Sequence, residues 1–204
     1  MTKIAILGFG GHTRSSINLL LNYFNSGDIS IYDDSFVEGR QEMINSIPLI
    51  GSVNGIKASQ DIFLSIGDNN LRKKYFLKFK NQIIRNTIFH SDSLQEKDIK
   101  YGVANQIFAH SYINSQVIIG DNNIINTGAI IEHEAIVGNH NHISIGAKIC
   151  GRSTIGNKCL IGAGSVIVDK LSICDNVIIG AGAVVIRDIN DAGTYVGNPA
   201  KRVK

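Results

Sequence analysis

The chain has 204 residues, of which 44% are hydrophobic, and a formal net charge of +3 at pH 7. This length allows one domain or two small ones, and the weak charge, with no dense Lys/Arg stripe, argues against a nucleic-acid-binding protein. The three cysteines are odd in number and lack C-x-x-C spacing, which is typical of a reduced, cytoplasmic protein, and neither a signal peptide nor a membrane span is predicted.

The first third of the chain alternates strand and helix patterns. Residues 3–7 form a short apolar run, which predicts a buried parallel strand that enters a glycine-rich turn at residues 8–12. Further strands are predicted at 29–32 and 62–66. Of two predicted helices, the first has an apolar face on Ile17, Leu20, Leu21 and Phe24, and the second carries basic residues opposite its apolar side, at Arg72, Lys73, Lys74 and Lys78. The alternation predicts a small Rossmann-like parallel sheet with helices packed on it.

The glycine-rich turn has two interpretations. Glycines let a phosphate or a sugar approach the backbone at the positive end of a helix, and Asp33 follows the second strand, where a dinucleotide-binding fold places the acid that holds a ribose. However, Thr13 stands where the third glycine of that fingerprint belongs, and the region is only about one mononucleotide half long. We therefore expect a nucleotide or nucleotide-sugar site rather than an NAD site, and the alternative is a tight turn that binds no ligand.

From about Tyr101 the pattern changes to a period of six residues. Aliphatic residues occupy fourteen consecutive steps of this period: Ile107, Ile113, Ile119, Ile125, Ile131, Val137, Ile143, Ile149, Ile155, Ile161, Ile167, Ile173, Ile179 and Val185. The repeat predicts a parallel β-helix in which three hexads form one coil, with about four to five coils between residues 107 and 190. We accordingly expect a nucleotide-sugar-binding domain at residues 1–95 and a β-helix domain with a C-terminal tail at residues 96–204.

The residues directly before these aliphatic positions should point outward, yet many of them are apolar: Ile118, Ile124, Ile130, Ile136, Leu160, Val166, Ile178 and Val184. Such a surface is rarely left exposed on a monomer. The pattern indicates an oligomer of β-helices packed side by side, and threefold symmetry suits a three-sided prism.

One dipeptide in the repeat, His133-Glu134, is not required by the period. It falls at a corner of the predicted prism, where histidine could act as a general base with the carboxylate fixing its tautomer. The alternative is a solvated corner histidine, because residues adjacent in sequence need not touch. His142 occupies an outward position among apolar neighbours, which suits contact with a ligand or an intersubunit hydrogen bond.

A metal site is not predicted. His133, His140 and His142 are not separated by multiples of eighteen residues, the spacing that would stack ligands on successive coils, and a catalytic zinc site needs three converging ligands. A zinc-dependent hydratase is therefore the weakest of the alternatives.

Several motifs in order resemble the hexapeptide-repeat acyltransferases of nucleotide-activated amino sugars, in particular those of the bacillosamine pathway, with the sialic acid O-acetyltransferases as relatives. The resemblance covers nearly the whole chain. The motifs are Gly8-Phe9-Gly10-Gly11-His12, Tyr32-Asp33-Asp34, Ser65-Ile66-Gly67-Asp68-Asn69-Asn70-Leu71-Arg72-Lys73-Lys74, Ile131-Glu132-His133-Glu134 and Gly197-Asn198-Pro199-Ala200-Lys201.

The resemblance implies a left-handed β-helix trimer with active sites between subunits and acetyl-coenzyme A (acetyl-CoA) as co-substrate. It implies that His133 is the general base and that Glu134 raises its basicity. Residues matching the family's acetyl-CoA site are His142, Gly151, Ala163 and Ala181. Residues matching its nucleotide-sugar site are Gly11, His12, Asp33, Asp34, Gly67 and Asn69.

The expected function is that of an N-acetyltransferase acting on the 4-amino group of a nucleotide-linked 4-amino-4,6-dideoxy sugar, in glycan biosynthesis. UDP is the first expectation for the nucleotide, with dTDP and GDP as alternatives. The rival functions are a sialic acid O-acetyltransferase and a nucleotide-sugar-binding protein without catalytic activity.

Overall fold

In a computed structural model that describes residues 3–203, the chain forms two compact units that divide after Arg85. The fold class predicted from the sequence, a Rossmann-like α/β domain followed by a parallel β-helix of hexapeptide repeats, is confirmed. The predicted boundary between residues 95 and 96 lies later in the chain than this division.

The first unit is a five-stranded sheet with two helices. Its elements in chain order are β1 (Lys3–Leu7), α1 (Gly11–Leu21), β2 (Ile29–Tyr32), β3 (Met43–Ile44), β4 (Ile47–Gly51), β5 (Gln60–Leu64) and α2 (Asn69–Lys78). The strand order is β3-β4-β2-β1-β5. All neighbours are parallel except β3 and β4, which form an antiparallel hairpin. β1 is central, and four of its five residues are buried, as its continuous apolar sequence predicts.

Several details of this unit differ from the sequence prediction. The hairpin of β3 and β4 was not predicted, and the strand expected at 62–66 runs from Gln60 to Leu64. Ile17 and Leu20 are buried in α1 as predicted, but Leu21 is exposed and Phe24 lies beyond the end of the helix. The placement of Arg72 among the exposed basic residues of α2 is wrong, since it is completely buried.

The second unit is built from very short strands, two residues each with few exceptions. In chain order they are β6 (Ile88–Phe89), β7 (Leu94–Gln95), β8 (Lys100–Tyr101), β9 (Gln106–Ile107), β10 (Tyr112–Ile113), β11 (Ile118–Ile119), β12 (Ile124–Ile125), β13 (Ile130–Ile131), β14 (Ile136–Val137), β15 (His142–Ile143), β16 (Lys148–Ile149), β17 (Thr154–Ile155), β18 (Leu160–Ile161), β19 (Val166–Ile167), β20 (Ser172–Ile173), β21 (Val177–Ile179), β22 (Val184–Val185), β23 (Gly193–Val196) and β24 (Lys201–Arg202).

These strands stack into three sheets, one for each face of a prism, and neighbouring strands are parallel except β23 and β24, which are antiparallel. Sheet I contains β6, β9, β12, β15, β18 and β21, followed by β23 and β24; sheet II contains β7, β10, β13, β16, β19 and β22; and sheet III contains β8, β11, β14, β17 and β20. From β6 to β22 paired strand residues lie eighteen positions apart, as Ile118 and Ile136 do, whereas β21 pairs with β23 at an offset of sixteen, Val177 with Gly193. The repeat begins one coil earlier than predicted, because Phe89 pairs with Ile107.

The aliphatic residues of the period line the interior of the prism. All fourteen are buried and belong to one continuous core, which supplies most of the hydrophobic stabilisation of the unit. A buried ladder runs beside this core, in which Asn105, Asn123 and Asn141 each accept, through the side-chain oxygen, a hydrogen bond from the backbone N–H eighteen residues later. These side chains satisfy polar groups that would be costly to bury without partners.

The outward faces carry some of the predicted exposed apolar residues. Ile118 and Ile136 lie side by side on sheet III and are each 41% exposed, whereas Ile124 on sheet I is completely buried, so the prediction of exposure is wrong there. Among residues 3–203, none of the helices combines the length and apolar character needed to cross a membrane.

Candidate functional site

The first unit contains a cleft of about 380 Å³ at the ends of the parallel strands. Its wall is formed by the turns that follow β1, β2 and β5, which is where ligands bind in open α/β sheets. Five residues proposed for nucleotide-sugar binding line it together: Gly11, His12, Asp33, Asp34 and Gly67. The sixth, Asn69, is not part of the lining.

The glycine-rich turn after β1 is held tightly against the turn after β5. Gly8 has a φ of +121°, and a Cβ there would lie 2.5 Å from the carbonyl oxygen of Ser65, so only glycine fits. The Thr13 hydroxyl is buried and donates to the carbonyl oxygens of Gly8, at 2.8 Å, and of Ser65, at 3.3 Å. The threonine that replaces the third glycine of the dinucleotide fingerprint therefore joins two of the three turns that form the cleft, those after β1 and β5.

The N-terminus of α1 opens onto this cleft. Gly10 is the capping residue and offers no side chain, and the first turn of the helix carries no acidic residue. Its first backbone N–H groups and the positive end of its dipole are thus available to an anion. Gly10 and Gly11 both have open space where a Cβ would lie, which leaves room for a phosphate group.

The two carboxylates of the cleft are fixed by hydrogen bonds to the protein. Asp33 accepts from the backbone N–H of Phe9 at 3.0 Å and of Ser35 at 2.9 Å. Asp34 accepts from the backbone N–H of Val53 and from the Tyr75 hydroxyl, both at 3.2 Å. Each carboxylate oxygen keeps a second acceptor position, so both side chains can receive a hydrogen bond from a ligand without changing conformation. Burial, and secondarily the nearby Asp34 carboxylate, raise the pKa of Tyr75, which keeps its hydroxyl a donor.

A buried arginine lies behind the turn after β5. The Arg72 guanidinium donates to the carbonyl oxygens of Ile66, at 3.0 Å, and Gly67, at 3.2 Å, and to the side-chain oxygen of Asn69, at 2.7 Å. Burial lowers the pKa of Arg72 to about 9, against the opposing attraction of Asp68, so the group is charged at neutral pH. Sequence reasoning missed this residue, because a run of basic residues on a helix normally marks a solvated face.

The candidate catalytic pair lies at the edge between sheets II and III. His133 and Glu134 follow β13, and the Nδ1 atom of His133 lies 3.0 Å from Oε2 of Glu134. This contact fixes Nδ1 as the donor, which leaves Nε2 as the basic nitrogen. The two side chains are 43% and 51% exposed, so the pair lies at the surface of the prism.

Gly151 lies directly beneath the imidazole, one coil later at the same edge. A Cβ at position 151 would lie 2.7 Å from Cε1 and 2.8 Å from Nε2 of His133. The coil below this glycine contributes Asp169, whose carboxylate forms an ion pair at 2.8 Å with Arg152. The glycine therefore makes room for the ring at the nitrogen that would take up a proton.

Glu132, the residue before His133, forms a second polar pair with Asn114. Glu132 accepts a 2.6 Å hydrogen bond from the side-chain amide of Asn114, one coil earlier. Burial first, and then the negative charges of Glu132 and Asp169, raise the pKa of the neighbouring Cys150 thiol. The thiol therefore stays protonated near neutral pH and is a poor nucleophile, which favours direct transfer over an acyl-cysteine intermediate.

The remaining residues proposed for acetyl-CoA binding lie elsewhere on the prism. His142 is on sheet I, with its Nε2 atom 3.1 Å from the side-chain amide of Asn126, and Ala163 and Ala181 lie at the edge between sheets I and II. Gly151 alone of the four lies at the edge that carries His133. Within a single chain, the candidate acetyl-CoA residues are thus not gathered at one edge of the prism.

No cluster of three or more His, Cys, Asp or Glu side chains with the geometry of a metal site occurs among residues 3–203. Of the histidines considered for a metal, His140 is buried with its Nδ1 atom 2.9 Å from the Asn122 amide. His133 and His142 face Glu134 and Asn126.

One protein family matches within each of the two units. Residues 3–79 match the family described as PglD N-terminal domain, and residues 152–187 match the bacterial transferase hexapeptide (six repeats). Comparison with curated protein sequences finds no match.

Solved structures match the chain over its full length. The acetyltransferase domain of PglB from Neisseria gonorrhoeae FA1090 is 27% identical, with 100% of both chains covered and a TM-score of 0.89, and it has also been solved in complex with acetyl coenzyme A. PerB from Caulobacter crescentus, in complex with CoA and GDP-perosamine, is 26% identical over 100% of this chain and 98% of that chain, with a TM-score of 0.87. WeeI from Acinetobacter baumannii AYE, at 21% identity and a TM-score of 0.88 over 100% of both chains, shows the fold alone.

These matches confirm the resemblance to hexapeptide-repeat nucleotide-amino-sugar acetyltransferases, and with it the prediction that the chain is an acyltransferase.

Proposed function

We propose that the protein is an acetyl-CoA-dependent N-acetyltransferase that acylates the 4-amino group of a nucleotide-linked 4-amino-4,6-dideoxy sugar. The observation that carries the proposal is the hydrogen-bonded His133–Glu134 pair, whose imidazole is 43% exposed and lies beside Gly151. The Neisseria and Caulobacter structures support it, because proteins similar over the whole chain were solved with acetyl-CoA or with CoA and GDP-perosamine.

The proposed chemistry is a direct transfer of the acetyl group. The amine nitrogen of the sugar attacks the thioester carbonyl carbon while Nε2 of His133 accepts the amine proton. The new C–N bond forms, the C–S bond breaks, and the imidazolium returns the proton to the departing thiolate, so that free CoA and the N-acetyl sugar are the products. Glu134 holds Nδ1–H and stabilises the imidazolium that forms in this step.

The cleft of the first unit is the proposed nucleotide-sugar site. The uncapped N-terminus of α1 suits the diphosphate, and Asp33 and Asp34 suit donor groups of the ribose or base. UDP is our first proposal for the nucleotide, with dTDP and GDP as alternatives. The three free cysteines fit a reaction in the cytoplasm.

We propose that the working form is a homotrimer with active sites between subunits. In one subunit His133 lies at the edge between sheets II and III, whereas Ala163 and Ala181 lie at the edge between sheets I and II. An acetyl-CoA molecule that contacts both sets bridges two subunits packed side by side. The exposed pair Ile118 and Ile136 supplies apolar surface for such packing.

The test is a screen of UDP-, dTDP- and GDP-linked 4-amino sugars with acetyl-CoA, following the release of the CoA thiol. We expect turnover with one of these sugars, and a fall of about a hundredfold or more in His133→Ala. Acetylation of free sialic acid with no turnover of any 4-amino sugar would overturn the proposal in favour of an O-acetyltransferase. Tight nucleotide-sugar binding without turnover by the wild-type protein would identify a non-catalytic binding protein.

A further inference from the structure

We propose that Arg72 is a positioning residue of the nucleotide-sugar cleft, and that Asn69 acts through Arg72 instead of touching the ligand. This inference rests on the proposed function of the cleft. It concerns residues 66–69, here called the 66–69 turn, which comprise the end of the connection from β5 and the first residue of α2 and contribute Ile66 and Gly67 to the cleft wall.

The burial of Arg72 is the first step of the argument. Its exposed fraction is 0%, although the sequence places it among lysines at the start of α2. A buried guanidinium is costly unless its N–H groups are satisfied. The hydrogen bonds that satisfy it here run to the 66–69 turn, to the oxygens of Ile66, Gly67 and Asn69. These hydrogen bonds therefore hold the turn in one conformation, and they also satisfy the buried guanidinium.

The consequence for the cleft follows from the geometry of the peptide bond. The carbonyl and N–H of a trans peptide point in opposite directions. By holding the carbonyl oxygens of Ile66 and Gly67 from behind the wall, Arg72 sets the orientation of both peptide planes. Gly67 lies against His12, since a Cβ at position 67 would be 3.8 Å from the Cβ of His12. The hydrogen bonds of Arg72 therefore also set the spacing between Gly67 and His12, two residues of the proposed ligand site.

Asn69 gains a defined role from the same geometry. It does not line the cleft, and its side-chain oxygen accepts from the Nη2 atom of Arg72 at 2.7 Å. Nη1 holds the two carbonyl oxygens. Only a planar group with separate nitrogen donors holds the three acceptors in this way, and lysine offers a single nitrogen.

The matched variants are Asn69→Ala and Asn69→Asp, with Lys78→Met on the exposed side of α2 as control. Aspartate keeps the oxygen that accepts from Arg72, whereas alanine removes it. We expect Asn69→Ala to raise the KM for the nucleotide sugar, and the Kd for the free nucleoside diphosphate, about tenfold, and Asn69→Asp to stay within about twofold of wild type. The KM for acetyl-CoA should stay unchanged in all three variants.

Arg72→Lys is the second test, read by hydrogen exchange of the amides of residues 66–69 without ligand. We expect faster exchange in this turn than in the wild type, with the rest of the first unit unchanged. Asn69→Asp binding as poorly as Asn69→Ala, or unchanged exchange and nucleotide affinity in Arg72→Lys, would overturn the inference. A wild-type protein that binds none of UDP, dTDP or GDP would instead refute the proposed nucleotide site, while the exchange measurement would still decide whether Arg72 holds the turn.

Discussion

The imidazole of His133 packs against Gly151, the residue eighteen positions later at the same edge of the prism. A Cβ at position 151 would come within 2.8 Å of Nε2, far inside the van der Waals separation. The β-helix thus brings the proposed base and a residue proposed for acetyl-CoA binding into contact through its coil spacing. The backbone strengthens this relationship, because Arg152 N–H donates to the carbonyl oxygen of His133 at 2.9 Å.

This contact predicts that Gly151→Ala displaces the His133 ring and reduces kcat for acetyl transfer. A displacement of about 1 Å can reduce a rate by about a hundredfold, and we expect a loss of that order in steady-state assays. Gly27→Ala is the control, since a Cβ at that exposed glycine meets nothing within 4 Å. Full activity in Gly151→Ala would show that His133 works in another position.

Glu134 has a φ of 59°, a left-handed conformation in which non-glycine residues are strained. Glu134→Gly relieves the strain and removes the carboxylate. We therefore expect a stability within about 1 kcal/mol of wild type, together with a fall of about tenfold or more in acetyl transfer.

Lys170→Gly is the matched control for this substitution. Lys170 occupies the equivalent corner two coils later, with a φ of 64°, and lies outside the proposed catalytic pair. Urea unfolding of both variants should show similar changes, while only Glu134→Gly loses activity. Equal losses of activity in the two variants would assign the effect to the corner conformation instead of the carboxylate.

The β-helix was predictable from the sequence because every hexad repeats the same pattern of buried and exposed residues. A buried β-branched residue every six positions, such as Ile131 or Val137, leaves little freedom in how the coils stack. The hairpin of β3 and β4 gave no such signal. Its turn places Asn45 and Ser46 at φ values of 47° and 64°, a conformation for which Asn-Gly is the usual sequence. Because serine stands in place of that glycine, the sequence does not carry the usual signal of a hairpin turn.

The candidate site was predictable only in part. The adjacency of His133 and Glu134 does not establish contact, and the 3.0 Å separation is a property of the folded corner. The role of Gly151 follows from the eighteen-residue coil and could have been inferred by counting. The burial of Arg72 depends on carbonyl oxygens of the 66–69 turn, and backbone acceptors leave no mark in the sequence.

The hydroxyl of Thr13 is predicted to stabilise the first unit. Thr13→Val keeps the shape of the side chain but leaves the buried carbonyl oxygen of Gly8 without its 2.8 Å donor. We expect a loss of about 1–3 kcal/mol in the free energy of unfolding and weaker nucleotide binding. Thr13→Ser retains the hydroxyl and should keep most of the stability. Urea unfolding followed by far-UV circular dichroism measures both, and equal stability of Val and Ser variants would contradict the role of the hydroxyl.

Because the thiol of Cys159 is buried, we expect the protein to lose stability at alkaline pH. Burial is the main cause that raises the pKa of its thiol from 9.0 to about 11. The folded state therefore holds the proton more tightly than the unfolded chain, and this contribution is complete below pH 9 and is lost as the pH rises through about 11. The complete loss should amount to about 3 kcal/mol.

The measurement is denaturant unfolding at several pH values between 8 and 11, compared with Cys159→Ala. Other groups with raised pKa values, such as Cys174, titrate in both proteins, so the difference isolates Cys159. We expect a shallower decline with pH in the alanine variant. Parallel curves would show that this thiol does not contribute.

The proposed trimer predicts a sensitive position on sheet III. Ile118 and Ile136 are paired neighbours and each is 41% exposed. Ile136→Glu places a charge in this apolar patch, which has little effect on an isolated prism but opposes burial between subunits. We expect the wild type to sediment as a trimer and Ile136→Glu as a smaller species.

Leu77→Glu is the control, because Leu77 is an equally apolar but more exposed residue on α2 of the first unit, and its charge should leave the oligomer intact. If the active site forms between subunits, Ile136→Glu should also lose acetyl transfer while it retains nucleotide binding, since the residues that line the cleft belong to the first unit and Ile136 to the second. A wild-type monomer with full acetyltransferase activity would contradict the intersubunit site.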